Sequence, residues 1–394
     1  MPTSPPLSSR GPANPGSQSA LRKSNQKRIT DAILDSGPLT QADLARQTGL
    51  STATISNIVK TMSALGAVET EPTTSSGRRA LLVRLSNDES VAVGIDFGRR
   101  HLRIVIANLG FEVVAEEFVT LPLGHRPETS IELASNLLSA MLESGGIPPG
   151  AVRGVGIGIP GPIDQRTGTV VQGAILPEWV GIRRDLLEQK INFPVLMDND
   201  ANLGALAEVT WGPHSMIENL VFVKIGSGIG AGLILNGHPF YGSVGITGEI
   251  GHQSITDNGL VCHCGNRGCL ETVASTSVMM ELLSRTSAQP VSTADIVRNA
   301  LAGDSATLRV LDDAGVAIGR GLATIANLLN PQVIVVGGTL ASLGLILLAP
   351  IQRGLLRHAV PSVGEATTLV MSSLGERAEA LGATALVLQS LSRR

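Results

Sequence analysis

Three cysteines, Cys262, Cys264 and Cys269, are the only ones in the chain and fall in one short segment, Cys-His-Cys-Gly-Asn-Arg-Gly-Cys. Crowded thiols in this spacing suit a metal better than a disulfide framework, because three thiolates need only one more ligand to close a tetrahedral zinc site. His252, ten residues upstream in Glu249-Ile-Gly-His252, supplies that ligand, and His263 is the alternative fourth ligand. A closed site of this kind is structural, with no open position for catalysis.

A second constellation is Asp198-Asn199-Asp200-Ala201-Asn202, where a strand over Pro194–Met197 is expected to meet a helix over Ala201–Glu208. Asp200 reads either as a helix N-cap or as a carboxylate able to take a proton from a sugar hydroxyl that attacks a phosphate, with Asn199 orienting the sugar. The glycine turns form a third group. Gly226-Ser-Gly228-Ile-Gly230 offers closely spaced backbone N–H groups of the sort that cradle phosphate, but lacks the Lys-Ser/Thr of a P-loop. Asp96-Phe97-Gly98 ends an earlier strand, and Gly337-Gly338 makes a later turn.

The elements that carry these residues follow a repeated order. Strands are expected at Val91–Asp96, Leu102–Asn108 and Glu112–Val119, then a helix at Glu128–Glu143 and a strand at Gly154–Ile159. The pattern reopens with strands at Asn219–Ile225 and Ala231–Asn236 joined by the glycine turn. Two lobes of matching order predict an internal duplication with a ligand cleft between them.

Composition agrees with a globular α/β protein: 43% of residues are hydrophobic and 16% charged. Aromatics are only 2%, which argues against a surface that stacks single-stranded bases. The first twenty residues have no apolar core, so no secretory signal is expected. Residues 321–352 carry no charge, but Asn330-Pro331 and Gly337-Gly338 break that stretch into pieces too short to span a bilayer. No membrane association and a cytoplasmic location are therefore expected.

Charge divides the chain. Residues 1–85 hold ten Lys/Arg against five Asp/Glu, a balance of +5, and the remainder carries −8. A basic front on an acidic body suggests that the front meets a polyanion. After a Pro/Ser/Gly-rich leader, Ile29, Ala32, Ile33 and Leu34 follow helical spacing up to Ser36-Gly37-Pro38. Thr40 with Asp43 reads as a near capping box, Gly49 as a tight turn, and Ser51 as the cap of a third helix. Ile55, Ile58, Val59, Met62 and Leu65 make that helix's apolar stripe; Thr52, Thr54, Ser56, Asn57 and Lys60 face outward. Two strands, Ala67–Glu71 and Ala80–Leu85, then form a wing with Arg78 and Arg79 at its tip. This is a winged helix-turn-helix, suited to double-stranded DNA through Ser51, Thr52, Thr54, Ser56, Asn57 and Lys60 in a major groove and the arginines on the backbone or a minor groove. The plainer alternative is a small module for protein contacts.

Taken together, Gly156-Ile-Gly-Ile-Pro-Gly-Pro162, Asn199-Asp-Ala-Asn202, Glu249-Ile-Gly-His252 and Cys262–Glu271 resemble the ROK family of repressors, open reading frames and sugar kinases. The resemblance implies an actin-like, two-lobed, duplicated sugar-kinase fold of the α/β class, preceded by a small α+β winged helix-turn-helix domain. It implies that Asn199, Asp200, Glu249, His252 and Glu271 line a sugar pocket, with Asp200 the catalytic base in kinase members, and that His252, Cys262, Cys264 and Cys269 hold zinc. Asp96, Gly98, Gly226, Gly228, Gly230, Gly337 and Gly338 are the corresponding positions for Mg-ATP. One departure bears on that ligand. Kinase members look like Asp-x-Gly-Gly-Thr-Lys where this chain has Asp96-Phe-Gly98-Arg99-Arg100-His101. Two arginines remove the room that a close backbone approach to phosphate needs.

The expected organisation is therefore a disordered leader (1–22), a winged helix-turn-helix domain (23–86) and a two-lobed sensing domain (87–394) with a zinc loop at 252–271. The expected function is a sugar-responsive transcriptional regulator, a repressor in the first instance. It would bind operator DNA as a homodimer or homotetramer and take a monosaccharide effector. The rival is an ATP-dependent sugar kinase with a DNA-binding appendage.

Overall fold

The computed structural model describes residues 18–64, 66–75, 78–86, 90–171, 175–285, 287 and 289–392. The chain begins with α1 (Gln18–Ser36), β1 (Leu39–Thr40), α2 (Gln41–Thr48) and α3 (Thr52–Ala64), then the hairpin β2 (Val68–Ser75) and β3 (Arg78–Leu85). Helix α1 reaches Gln18, so it takes in the end of the segment expected as leader; Ala20, Leu21, Arg22 and Lys23 are all good helix formers. Residues 1–17 and Leu65 lie outside the described residues, as do the side chains of Leu34 and Arg78. Thr40 and Asp43 form the reciprocal capping box, and Gly49 closes α2 in the left-handed conformation at φ 67°. Ile29, Ile33, Leu44, Ile55, Ile58, Val59, Met62, Val68 and Val83 pack into one core. The wing is longer than expected, pairing Val68 with Leu85 and running on to Ser75 with Arg78, because Thr73 and Thr74 continue the strand past Pro72.

The body is two sheets of the same design. In the first lobe, β4 (Val91–Phe97), β5 (His101–Asn108) and β6 (Val113–Thr120) form an antiparallel meander. After α4 (Pro127–Ser144), β7 (Val152–Ile159) pairs parallel with β4. The small β8 (Ile163–Asp164) and β9 (Thr169–Val170) and helix α5 (Arg184–Ile191) precede β10 (Val195–Asn199), which joins β7 in parallel. Helix α6 (Asp200–Thr210) then leads to the second lobe. There β11 (Leu220–Ile225), β12 (Ile229–Leu235) and β13 (His238–Pro239) are again an antiparallel meander. Helices α7 (Glu271–Ala274), α8 (Thr276–Ser284), α9 (Thr293–Leu301) and α10 (Ser305–Leu329) precede β14 (Val333–Gly337), which pairs parallel with β11. Helices α11 (Leu345–His358) and α12 (Pro361–Ala366), β15 (Thr368–Met371) and α13 (Ala378–Ser392) complete the chain. The sheet orders, β6-β5-β4-β7-β10 and β13-β12-β11-β14-β15, match strand for strand. That is the expected duplication.

The lobes are joined by exchanged helices. Helix α6 leaves the first lobe and lies on the second sheet, so closely that a Cβ on Gly232 would stand 2.2 Å from the Ala201 carbonyl oxygen. Helix α13 leaves the second lobe and lies on the first sheet, where a Cβ on Gly156 would stand 2.0 Å from the Ala383 carbonyl. The two helices cross with Gly382 against Leu203, 1.9 Å from the carbonyl oxygen to a Cβ placed there. Glycine is required at all three positions because backbone meets backbone. The charge-free stretch 321–352 resolves into the end of α10, β14 and the start of α11, and no helix among the described residues is long and apolar enough to cross a membrane.

Candidate functional site

The N-terminal domain presents α3 as drawn from the sequence. Ile55, Ile58, Val59 and Met62 are buried, while Ser51, Thr52, Ser56, Asn57 and Lys60 are exposed. Ser51 caps the helix: its Oγ accepts the Thr54 N–H at 3.1 Å and lies 2.8 Å from Thr54 Oγ1. Thr54 is thus half-buried and engaged in the cap. Arg79, paired with Thr74 near the tip of the wing, is exposed.

Between the lobes lies a cleft of about 520 Å³. Asn199, Asp200, Glu249, His252 and Glu271, the five residues expected around a sugar, all line it. Asn199 closes β10 and is the N-cap of α6, with its Oδ1 accepting the Ala201 N–H at 2.8 Å and its Nδ2 donating to the Gly161 carbonyl at 2.9 Å. The cap is therefore Asn199, and Asp200 is the first helical residue, its Oδ1 sharing the Ala201 N–H at 2.9 Å. Asp200 Oδ2 accepts a charge-assisted bond from Lys224 Nζ at 2.8 Å. Glu249 and His252 sit on one short turn, with Glu249 Oε2 3.6 Å from His252 Nε2. Burial pushes the Glu249 carboxyl above its ordinary value, with the nearby His252 opposing the shift.

Behind Asn199, Asp198 is buried and ties the cleft floor together. Tyr241 Oη donates to its Oδ2 at 2.7 Å and Asn202 Nδ2 donates to its Oδ1 at 2.9 Å. Burial pushes its pKa up to about 6 against those hydrogen bonds. Tyr241 is the only tyrosine in the chain and stands on the loop leading to Glu249, so this contact fixes that loop to the end of β10.

Arg99, Arg100 and His101 also stand in the cleft lining. His101 Nε2 lies 2.7 Å from Asp96 Oδ2, and its ring covers Gly98 so closely that a Cβ there would be 2.0 Å from it. Burial alone would raise the Asp96 pKa, but the hydrogen bond and charge of His101 bring it below the usual value; the same contact raises His101 against burial. Arg99 Nη1 donates to Ser277 Oγ on α8 at 2.9 Å, and Ser277 in turn donates to the Ser227 carbonyl at 3.1 Å, so the first lobe grips the glycine turn of the second. Arg100 is exposed at the rim. Of the positions expected for nucleotide, Gly98, Gly226, Gly228 and Gly230 line the cleft and Asp96 is buried behind His101. Gly337 and Gly338 do not line it. A Cβ on Gly337 would be 2.3 Å from the Phe222 ring, and one on Gly338 2.1 Å from the Ile225 carbonyl, so these glycines serve packing.

Lys224 and Glu379 escaped the sequence reading. Lys224 Nζ also bonds Glu379 Oε1 at 3.0 Å. The sequence offers only a hint of one of them: Lys224 interrupts the apolar strand Leu-Val-Phe-Val-Lys-Ile on the face shared by Leu220 and Phe222, which packs under α6 and α13, but its partners lie far off in the chain.

At the lip of the cleft His252, Cys262, Cys264 and Cys269 converge, with their ligand atoms all within 4.8 Å of one another. His252 Nδ1 is 3.5 Å from Cys262 Sγ, and Cys264 Sγ is 3.7 Å from Cys269 Sγ. A tetrahedral ion with metal–sulfur bonds of about 2.3 Å and metal–nitrogen bonds of about 2.0 Å needs separations of about 3.5 and 3.8 Å, so the donor set fits a metal. His263, the alternative ligand, is exposed and outside the cluster. Glu271 Oε1 accepts from the Cys262 thiol at 2.9 Å, which joins the cluster to the cleft.

Comparisons with known proteins agree with this anatomy. The ROK family profile matches residues 92–390, and the MarR family profile matches residues 23–79. The chain is 31% identical over 375 residues to the xylose repressor of Bacillus spizizenii (strain ATCC 23059 / NRRL B-14472 / W23), covering 94% of this chain and 97% of that protein. It is 28% identical over 395 residues to the DNA-binding transcriptional dual regulator NagC of Escherichia coli (strain K12), covering 97% and 96%. Among solved structures, a ROK family transcriptional regulator described as a homolog of the E. coli MLC protein superposes with a TM-score of 0.73 at 26% identity, over 95% of this chain and 97% of that one. A ROK family glucokinase from Streptomyces griseus, in complex with glucose and AMPPNP, shares the fold over 75% of this chain and 99% of its own, with a TM-score of 0.69 at 24% identity. With a family match over most of its length, a duplicated two-lobed body and a helix-turn-helix with a wing, the chain belongs to the ROK family and carries a MarR-type winged-helix domain at its N-terminus.

Proposed function

We propose that the protein is a sugar-responsive transcriptional repressor. Residues 23–86 bind operator DNA, and residues 87–394 bind a monosaccharide or monosaccharide derivative that changes operator affinity. The observation that carries this reading is the make-up of the cleft wall: Asn199, Asp200, Glu249, His252 and Glu271 offer polar groups to a sugar, while Arg99, Arg100 and His101 stand where the first glycine turn would meet a phosphate. A cleft so built takes a sugar, and the His101 ring over Gly98 closes the first glycine turn to a phosphate although the Gly226–Gly230 turn remains in the lining. Asp200 then acts as a hydrogen-bond acceptor for a sugar hydroxyl, beside Asn199, Glu249, His252 and Glu271.

The DNA-contacting residues in this reading are Ser51, Thr52, Thr54, Ser56, Asn57 and Lys60 on the recognition helix, with Arg78 and Arg79 on the wing. A homodimer, or a tetramer built from such dimers, sets two recognition helices in successive major grooves of a pseudopalindromic site. Such a regulator works beside the chromosome, in the cytoplasm. The metal is zinc, held by His252 Nδ1 and the three thiolates. It would supply structural cross-linking of the loop and leave His252 Nε2 facing Glu249 and the cleft, so that the metal fixes the ring that a sugar meets.

Thermal melting against xylose, glucose and N-acetylglucosamine, each with and without Mg-ATP, tests the reading. A ligand that binds only the native state stabilises it by about 2.7 kcal/mol at a hundredfold excess over Kd. A rise with one sugar and none from Mg-ATP is expected. Release of ADP with one of these sugars, abolished by Asp200→Ala, would replace this account with that of a sugar kinase.

A further inference from the structure

Lys224 is half-buried in the cleft wall, and its ammonium has two carboxylate partners. Both stand at the start of a crossing helix. Asp200 is the first residue of α6 and Glu379 the second of α13. These are the two helices that pass between the lobes and meet at Leu203 and Gly382. Carboxylates there also complement the positive ends of both helix dipoles. Burial alone would lower the Lys224 pKa, but Asp200, Glu379 and Asp96 together raise it, so the side chain stays charged. Asp96 belongs to the first lobe and is itself held by His101. A second cation spans the lobes at the far end of the cleft, where Arg99 reaches Ser277.

In a phosphoryl-transfer cleft a metal–nucleotide complex draws two lobes together. Here two cations that belong to the chain bridge the lobes, Lys224 to Asp200 and Arg99 to Ser277. We infer that Lys224, seconded by the Arg99–Ser277 tie, is the coupling residue of the protein, transmitting occupancy of the sugar site at Asp200 to the crossing helices and so to the angle between the lobes. The inference rests on the sugar-regulator reading above. A sugar hydroxyl that donates to Asp200 draws on a carboxylate whose Oδ1 already accepts the Ala201 N–H and whose Oδ2 holds Lys224, and so weakens the Lys224 bond. The ammonium keeps Glu379 Oε1 at 3.0 Å as its second partner and shifts its bond toward that carboxylate at the head of α13. A ligand changes a conformational equilibrium only through such a differential contact.

If Lys224 merely neutralises two buried acids, its loss lowers stability and sugar affinity but leaves the response at saturating sugar intact. The test uses full-length wild type, Lys224→Met and Arg99→Ala. The operator is a duplex selected by the wild-type protein from a random library. The probe is whichever of xylose, glucose and N-acetylglucosamine stabilises the wild type, used at saturation as judged from each variant's own melting curve. For wild type, sugar is expected to change operator affinity about tenfold or more. In Lys224→Met, with operator binding in the absence of sugar kept, the change is expected to fall below about twofold, and in Arg99→Ala to fall by about half in logarithmic terms. A folded Lys224→Met that keeps the full wild-type change at saturation overturns the inference. If that variant does not fold, a full change in Arg99→Ala overturns it. A wild type that responds to none of the sugars contradicts the functional reading itself and takes the inference with it.

Discussion

Arg79 and Lys224 show how differently two cations can be read from their surroundings. Arg79 is exposed near the end of a hairpin, where a long guanidinium side chain can meet a phosphate without desolvation cost. Its replacement by alanine is expected to weaken operator binding several-fold and to lessen the steepness of the salt dependence by about one unit of slope. Filter binding or anisotropy at several salt concentrations reads both quantities, and an unchanged slope would remove the wing from the interface. That Asn199, Asp200, Glu249, His252 and Glu271 meet in one cleft, and that His252 meets the three cysteines, was legible in the sequence because their types are chemically conspicuous: crowded thiols, adjacent acid and amide, a histidine at a fixed distance. Lys224 and Glu379 were not, because each is separated in sequence from its partner and becomes significant only when α6 and α13 bring three segments together. The role of Asp200 changed for the same reason. Local sequence offers it the cap, but Asn199 takes that position; Asp200 shares the Ala201 N–H through Oδ1 and leaves Oδ2 to Lys224.

At the scale of elements, strands and helices of the body fell within a few residues of expectation because most are apolar or amphipathic runs bounded by glycine, proline or asparagine. The wing extended further than expected, since β-branched threonines carry the pairing beyond Pro72. The metal loop is the element with most at stake. It bears Cys262, Cys264 and Cys269, ends at Glu271, and closes on His252, so the metal cluster and two of the five sugar-end residues share one piece of backbone. Cys264→Ser, on the exposed thiol, is expected to lower the melting temperature and to remove sugar stabilisation while operator binding in the absence of sugar persists. Metal analysis by atomic absorption alongside melting curves checks this. Stoichiometric zinc in wild type with normal sugar binding in the variant would separate the loop from the cleft.

For the whole molecule, duplication was legible from two recurrences of strand, glycine turn and strand. The exchange of α6 and α13 between lobes was not, because Gly156, Gly232 and Gly382 reveal their purpose only against the backbone they admit. Stability at this scale has a pH dependence traceable to Glu208 on α6. It is fully buried beneath the start of the α13 approach, bonded by Ser372 Oγ at 2.5 Å, and burial pushes its pKa up to about 7. The folded chain therefore holds a proton that the unfolded chain releases near its ordinary value, and stability falls as pH rises from that value to about 7, then levels off. Glu208→Gln is expected to flatten that fall and to stabilise the protein at pH 8 by about 3 kcal/mol at most. Denaturant titrations at several pH values measure it, and a variant with the wild-type pH dependence would place the effect elsewhere.

The central claim is that a sugar bound in the body controls DNA bound by the winged helix. The most direct measurement is the operator affinity of the full-length protein with and without saturating sugar, in wild type and in Glu249→Ala. The account predicts a change of about tenfold or more in wild type, and in the variant an unchanged sugar-free affinity with no response. Equal operator affinity with and without a sugar that demonstrably binds wild type, or a normal response in Glu249→Ala, would contradict it.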